Sequence, residues 1–577
     1  MLNIKTILKE SLAGILKKVY QTVEKQGLDY DITFSANPAF GDYSTNVFFK
    51  LGQITKENQA TMSKKIIGAL WQEKNIKDNF SKIELASGYL NFFIKEKRLY
   101  QNLQEVLKKK DKFGALAIGK GKTLVIDYSS PNVAKLMHVG HLRSTIIGQA
   151  LYNIHKFLGY QVIGDNHLGD WGTHFGKLIY AYKNFAAKEK IKKNFIEEVT
   201  KLYVDFNRRA KLDPRLDEAA RIETKKFQEG DKENMKIWKY FVKESLKEFN
   251  HLYKRLAVKI DFTLGESFYQ PMLKEIIKEA KNKKVAQISE GALIIPLAKF
   301  KLPPLLIQKS DGATMYATTD LATIKYRIKK WRPEKILYVV SNEQAGYFPQ
   351  VFKAAELLGY LKPDIAYHVK FGMVLGEAGK KFSTRAGEVI LLDHFLDEAI
   401  NRAYKIVSEK NPKLKEGEKR EIAEVVGLGA LKYNDLSQNR LTDIAFNWDK
   451  MLDFQGNSAP YLQYTYTRIQ SILRKAKINK LKKFNPAFLK DQRELLIMRQ
   501  LVNFSEIVER AGKDYLPNIL CDYLYKLASD FNGFYESLPV LKEKEGVRTA
   551  RLSLITGVAQ VIKIGLNLLG IKTLNKM

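Results

Sequence analysis

The chain has 577 residues, enough for three or four domains at roughly 150 residues each, and its 45% apolar and 28% charged composition excludes disorder over the whole length. Lys and Arg number 96 against 63 Asp and Glu, a formal net charge of +33, which points either to a polyanionic partner, nucleic acid first, or to a lysine-rich solvated surface. One Cys, Cys521, excludes an intrachain disulfide and a multi-thiolate zinc site and fits a reducing, cytoplasmic compartment.

In chain order, Ile4, Ile7, Leu8, Leu12, Ile15, Leu16, Val19 and Val23 recur at helical spacing, opposite lysines mixed with Glu10 and Glu24. This predicts a folded amphipathic helix rather than a targeting peptide. Asn37–Ser44 is turn chemistry, and strand-like runs at Lys82–Ala86 and Tyr89–Ile94 flank Ser87-Gly88. The charged, glycine-punctuated stretch Lys108–Gly121 places a first boundary near residue 112. Thr123–Ser129 then reads as a buried strand, Ser130–His138 as a loop, Gly140–Phe157 as a helix and Gln161–Gly164 as a strand, one unit of a parallel α/β sheet. Tyr182–Asp261 reads as a helical insertion. Leu305–Gln308, a helix over Thr319–Lys330, Lys335–Val340, a helix over Gln350–Leu358 and Ala366–Phe371 supply the second half of a doubly wound sheet. From about Leu391 the rhythm is helical and no further strand is expected. Tyr461, Tyr464, Arg468, Ile469 and Ile472 share one helix face. Gln560, Lys563 and Asn567 interrupt Ser553–Ile571 too often for a membrane span, so a soluble protein with no membrane partner is expected.

Two motifs carry chemistry. Pro131–His141 sits between a strand and the helix it feeds, where unpaired N–H groups and the dipole favour an anion. There Gly140 admits a flat base or ribose, His138 and His141 are phosphate donors about one turn apart, and Lys135 adds a mobile cation. Read alone, a His-x-Gly-His string is equally a helix start with two surface histidines, and no Cys or Glu stands at zinc-ligand spacing. The second motif, Gly379–Gly387, is a loop bearing Lys381, Ser383 and Arg385 between glycines, which by itself reads as a solvated basic loop. Together, at opposite ends of a split α/β domain, the two describe a nucleotidyl-transfer site.

His138-Val139-Gly140-His141 resembles the HIGH motif of class I aminoacyl-tRNA synthetases, and Lys381-Phe382-Ser383-Thr384-Arg385 resembles a degenerate KMSKS loop. Ser129–Gly148, Gly169–Gly172, Tyr316–Arg327 and Tyr433–Asp443 resemble arginyl-tRNA synthetases more narrowly, and the likeness spans nearly the whole chain. Val139 keeps a β-branched side chain where the family has Ile. Thr384 replaces the second Lys of the mobile loop, and Lys135 occupies the place of the Lys thought to substitute for it.

The resemblance implies a Rossmann-type catalytic domain over 113–400 with its insertion at about 182–261. An α+β additional domain over 1–112 would contact tRNA, and an all-α anticodon-binding bundle would occupy 401–577. It further implies ATP-dependent activation of L-arginine, with Mg²⁺ bound to ATP and no zinc, transfer to tRNA(Arg) in a tRNA-requiring reaction, and a monomer. Catalysis and ATP binding would fall to Lys135, His138, Gly140, His141, Lys381, Phe382 and Ser383. Asp320 would grip the guanidinium in fork geometry, with Tyr316 and Gln344 beside it and Ser130, Asn132 and His141 on the α-amino and carboxylate ends. As a first-turn acid, Asp320 also suits the helix dipole. Phe40, Asp42 and Asn46 at one end, and Trp448, Tyr461, Tyr464, Phe531 and Tyr535 at the other, are candidate tRNA contacts, although helical spacing suits the latter to core packing as well.

Overall fold

The computed structural model describes residues 3–20, 28–35, 37–375, 390–477 and 483–577. Lys381, Phe382 and Ser383 lie outside them.

At the N-terminus the amphipathic helix forms over Ile4–Val19 and buries Ile4, Leu8, Leu12 and Ile15 against a four-stranded antiparallel sheet domain. Its strands are β1 (Ile32–Phe34), β2 (Tyr43–Thr45), β3 (Phe80–Ala86) and β4 (Tyr89–Ile94), in spatial order β1-β2-β4-β3. The β3–β4 hairpin turns through Ser87-Gly88, both at positive φ (50° and 81°), which the two-residue turn demands.

The centre is a five-stranded, wholly parallel sheet. It comprises β5 (Thr123–Asp127), β6 (Gln161–Asn166), β7 (Phe262–Thr263), β11 (Lys335–Tyr338) and β12 (Ala366–His368), ordered β12-β11-β5-β6-β7. Successive strands run outward from β5 on one side and from β11 on the other. The loops after β5 and β11 therefore diverge and leave a crevice at the carboxyl ends of those two strands. Five helices, Thr173–Asn184, Lys188–Lys193, Phe195–Leu212, Arg215–Gln228 and Lys232–Arg255, separate β6 from β7.

Two strand expectations are corrected. Leu305–Gln308 is a strand (β10), but it pairs antiparallel with β9 (Ala292–Ile295), itself paired with β8 (Gln287–Ser289), in a separate three-stranded sheet. A four-residue apolar run carries no mark of pairing direction, and the place in the parallel sheet goes instead to β7, two exposed residues with no apolar signature. Among the described residues beyond Leu391 there is one more strand, β14 (Ile444–Ala445), parallel to β13 (Val374–Leu375).

Most of the remaining described residues are helical, in Leu392–Lys410, Glu416–Leu436, Trp448–Met451, Ala459–Lys475, Gln492–Lys513, Asn518–Ser537 and Glu545–Leu568. The last is long and apolar enough to cross a membrane, but it is the inner helix of the bundle, with Leu554, Ile555, Val558, Val561 and Ile562 fully buried.

Candidate active site

The loop leaving β5 is held in an unusual conformation. Ser129, Ser130 and Ala134 all take positive φ (73°, 47° and 60°), a region that penalises L side chains. Four side chains from three other segments fix it. Ser129 N–H donates to Ser144 Oγ at 2.9 Å, Ser130 N–H to Asn166 Oδ1 at 3.0 Å and Ala134 N–H to Ser245 Oγ at 2.9 Å, while Ser129 Oγ meets the Tyr253 hydroxyl at 2.9 Å. Two of these, Ser245 and Tyr253, come from the inserted helix Lys232–Arg255, so the insertion buttresses the loop.

The helix Val139–Phe157 begins with a self-made cap. Gly140 N–H donates to His138 Nδ1 at 3.0 Å, and His138 N–H donates to His141 Nδ1 at 3.1 Å. Both Nδ1 atoms therefore act as acceptors, and the neutral rings carry their proton on Nε2. Burial, His138 and Lys135 push the His141 imidazolium down to about 4, so His141 is neutral at pH 7. A Cβ on residue 140 would sit 2.7 Å from His138 Cε1, so glycine is required by the cap itself. Lys135 is exposed, its ammonium 5.8 Å from the Tyr203 ring.

Asn132 is exposed and lies against Gly169, where a Cβ would come within 2.0 Å of its Oδ1. The neighbouring Asp170 receives Ser267 N–H and Oγ–H at 2.8 and 2.6 Å. That cap brings Glu266 into the crevice. Ser130 Oγ donates to Asp127 Oδ1 at 2.8 Å, and Asp127 Oδ2 accepts from Arg327 Nη2 at 2.7 Å. Arg327, wholly buried, also binds Asp165 at 2.9 Å through Nε. It lies seven residues after Asp320, on the same face of the helix Tyr316–Trp331. Pinning Arg327 to β5 and β6 thus turns Asp320 toward the crevice.

Asp320 accepts the hydroxyl proton of Tyr347 from the helix Tyr347–Leu357. Burial, reinforced by Asp127, raises its carboxyl to about 6. Glu266 is pushed further, to about 8, by burial, Asp170 and Asp320. Tyr316 stands 68% exposed at the start of the Asp320 helix, the pKa of its hydroxyl raised by burial and by Glu266. Gln344 is exposed in the turn Asn342–Gln344, which leads after β11 into the Tyr347 helix. Sequence reasoning missed Glu266 and Tyr347. Neither lies in a motif, and only the convergence of three segments on Asp320 marks them.

The helix carrying the imidazoles is also fixed from behind. Buried Arg143 reaches Asp435 at 3.2 Å and the carbonyls of Gly372 and Thr442 at 2.8 and 3.0 Å, which accounts for the string Tyr433–Asp443. The Ile390 carbonyl accepts Val139 N–H at 3.1 Å, while Leu392 N–H donates to the Met137 carbonyl at 2.9 Å. Among the described residues no three His, Cys, Asp or Glu side chains converge on one point where an ion would sit.

The peripheral candidates divide. Phe40 is 57% exposed, and Tyr464 and Tyr535 are 40% and 39% exposed on either side of Arg468. Asp42 is corrected: it is 3% exposed, accepts Ile94 N–H at 2.7 Å and pairs with Arg499 at 2.8 Å, so it joins the N-terminal domain to the bundle and presents nothing to RNA. Asn46 Oδ1 accepts Asp31 N–H at 3.0 Å. Phe531 is fully buried, a core residue as its helical spacing allowed. Tyr461 is half-buried with its hydroxyl accepting from Asn532 at 2.8 Å, and Trp448 is half-buried under Arg402.

Comparison with known proteins covers the whole chain. The model of the class I (R) tRNA synthetase catalytic domain matches residues 102–448, the DALR anticodon binding domain 462–577 and the arginyl tRNA synthetase N terminal domain 3–94. An arginine–tRNA ligase of Fusobacterium nucleatum is 43% identical over 99% of this chain and 100% of its own length, and one of Alkaliphilus metalliredigens is 39% identical over 99% of each. The crystal structure of the Plasmodium falciparum arginyl-tRNA synthetase superposes with a TM-score of 0.83 at 27% identity, covering 100% of both chains. The Thermus thermophilus arginyl-tRNA synthetase, at 24% identity and the same coverage, shares the fold with a TM-score of 0.85. With its three domain models in order along one chain and such relatives matched end to end, this protein belongs to the arginyl-tRNA synthetase family.

Proposed function

We propose that the chain activates L-arginine with ATP and transfers it to tRNA(Arg), and that the crevice between the β5 and β11 loops is where both steps occur. The observation that carries this is the pair of carboxyls Asp320 and Glu266, near enough for Asp320 to raise Glu266, in the same parallel-sheet domain as a helix start with two Nε2–H donors. The arginine carboxylate attacks the α-phosphorus, the α–β phosphoanhydride bond breaks, and pyrophosphate leaves. The 2′-OH of the terminal adenosine then attacks the acyl carbon and AMP departs.

No protein nucleophile is needed, so orientation and charge stabilisation supply the rate. His138 and His141 donate Nε2–H to the α-phosphate and ribose, and Gly140 admits the adenosine. Lys135 and Lys381, with Phe382 and Ser383 of the same loop, offset the leaving pyrophosphate; Mg²⁺ enters with ATP. Ser130 and Asn132 hold the α-amino end, and Tyr316, Gln344 and Tyr347 surround the guanidinium. We assign 1–112 to tRNA contact through Phe40, 113–400 with its insertion at about 182–261 to catalysis, and 401–577 to the anticodon through Tyr464, Tyr535, Tyr461 and Trp448. The excess of basic residues gives a salt-sensitive affinity for the tRNA backbone. A cytoplasmic monomer fits this role.

Charging bulk tRNA with each standard amino acid, with and without ATP, tests the assignment. Arginine alone should be accepted, and only with ATP; pyrophosphate exchange that ignores arginine would sink it.

Proton release offers a second check on the pocket. Glu266, held near 8, keeps its proton at neutral pH in the empty site, and an entering guanidinium favours the carboxylate. Because the free-enzyme pKa is the higher one, arginine affinity should climb as pH rises from 6.5 toward 8 and then level off. Calorimetry at pH 7 in buffers of different ionisation enthalpy should register release of a proton, and Glu266→Gln should abolish it. A buffer-independent heat in the parent enzyme removes Glu266 from the pocket.

A further inference from the structure

Beyond the helix Glu545–Leu568 the chain turns through Gly570 (φ 71°) and runs without helix or strand to Met577. This strap is stitched down by side chains of one helix, Ala459–Lys475, each donating to a strap carbonyl. Gln463 reaches Lys572 at 2.9 Å, Thr467 reaches Leu574 at 2.8 Å and Arg474 reaches Asn575 at 2.8 Å. At its far end Lys576 and Met577 line a groove of about 890 Å³ together with Tyr464, Arg468 and Tyr535, the surface read above as an RNA contact.

The near end abuts the catalytic half. Lys432, only 5% exposed, donates to the carbonyl of Gly570 at 2.6 Å and to that of Leu256, where the inserted helix ends, at 2.7 Å. Asn153, on the helix that begins with the two imidazoles, donates to the carbonyls of Asn567 and Leu568, both at 3.3 Å. Gln149 then donates to Asn153 at 2.8 Å and accepts Lys259 N–H at 2.7 Å, and the Tyr128 hydroxyl donates to the Lys259 carbonyl. Tyr128 immediately precedes the strained pair Ser129-Ser130. An unbroken run of hydrogen bonds and covalent chain thus joins the groove to the loop that shapes the crevice.

Lys432 is the costly member of that run. No carboxylate pairs with it among the described residues, and burial with Lys572 nearby pushes its ammonium down to about 7. Met or Leu would fill the same volume of a helical bundle without desolvating an amine. What only the lysine supplies is two N–H donors bridging carbonyls of two elements that are otherwise separate.

We propose that Lys432 is a positioning residue that latches the strap to the catalytic half, so that RNA seated in the groove stiffens the helix Val139–Phe157 and the loop before it. The proposal rests on the reading of the groove as the anticodon site. RNA that orders the strap lowers the entropy still to be lost when the crevice binds its substrates, which couples the two sites without requiring a large movement.

Lys432→Met removes both donors while keeping the bulk, and Asn153→Ala opens the same link from the half-buried catalytic side, so it decides the matter if the first variant does not fold. In each, kcat for arginylation should fall roughly tenfold or more with the tRNA KM within about twofold. In hydrogen exchange, an RNA hairpin carrying the anticodon arm of tRNA(Arg) should slow the amides of residues 139–157 in the parent protein and not in the variants. Equal protection in all three proteins, no protection in the parent, or parental kcat in the folded variants overturns the latch. Tyr464→Ala and Tyr535→Ala separate the two ideas: an unchanged tRNA KM there removes the groove reading. A raised tRNA KM there, beside parental kcat for Lys432→Met, removes only the latch.

Discussion

Asp320→Asn will lose arginine-dependent activity while ATP binding survives. The carboxylate is recessed, already holds the Tyr347 hydroxyl, and is raised to about 6 by burial and by Asp127. A site this dry magnifies both the attraction for a guanidinium and the penalty for presenting it with an amide N–H₂. Truncating one partner of such a pair costs about 3–5 kcal/mol, or about 10²–10⁴ in kcat/KM for arginine. Glu266 offers a second carboxyl nearby, which places the expected loss at the lower end of that range. Arginine-dependent pyrophosphate exchange gives the loss, and equilibrium dialysis with ATP gives the control. An unchanged arginine KM would take Asp320 out of the pocket.

Arg327→Met will destabilise the catalytic half more than any exposed substitution. Arg327 is fully buried between Asp127 and Asp165, with carboxylates at 2.7 and 2.8 Å from Nη2. Removing it leaves two carboxylates facing each other in a low-dielectric interior, for about 3–5 kcal/mol. At 2–4 °C per kcal/mol for a domain of this size, the calorimetric transition of the catalytic half should fall by about 6–20 °C. The sign of the pH dependence is a further check. Asp165 is already raised to about 6 by burial, and loss of the guanidinium raises it further. The variant's deficit should therefore shrink at pH 5, where Asp165 is protonated, and widen at pH 8. Lys in place of Arg restores charge but not the fork, so it should recover only part of the loss. A transition temperature within 1–2 °C of the parent would show that the triad does not support the fold.

What could be read from residue order alone was what short-range physics decides. The strand–loop–helix over Thr123–Phe157 and the Ser87-Gly88 hairpin announce themselves through period and turn chemistry over short stretches of sequence. Asp320 and the imidazoles were legible because each sits in a long recognisable string. Asp42 misled because its partner, Arg499, stands 457 positions away and nothing local distinguishes a buried aspartate from a turn aspartate. Leu305–Gln308 misled for the reason given by its partner β9: an apolar tetrapeptide serves either kind of sheet. Glu266 and Tyr347 were invisible because a pocket made by three separated segments has no signature in any of them.

The loop that begins with Ser129 and Ser130 also bears on how such an enzyme would respond to selection. Each of its three left-handed residues costs about 1–2 kcal/mol relative to a relaxed backbone, and the bonds to Ser144, Asn166 and Ser245 keep that tension in place. Glycine at any of these positions would release it at once. A thermal-challenge screen would therefore enrich such replacements, while a screen for turnover would discard them, since a slack hinge no longer presents its N–H groups and serine side chain in one arrangement. Heat tolerance and speed compete here within six residues, and lineages adapting to hot environments would have to find their extra stability elsewhere in the molecule.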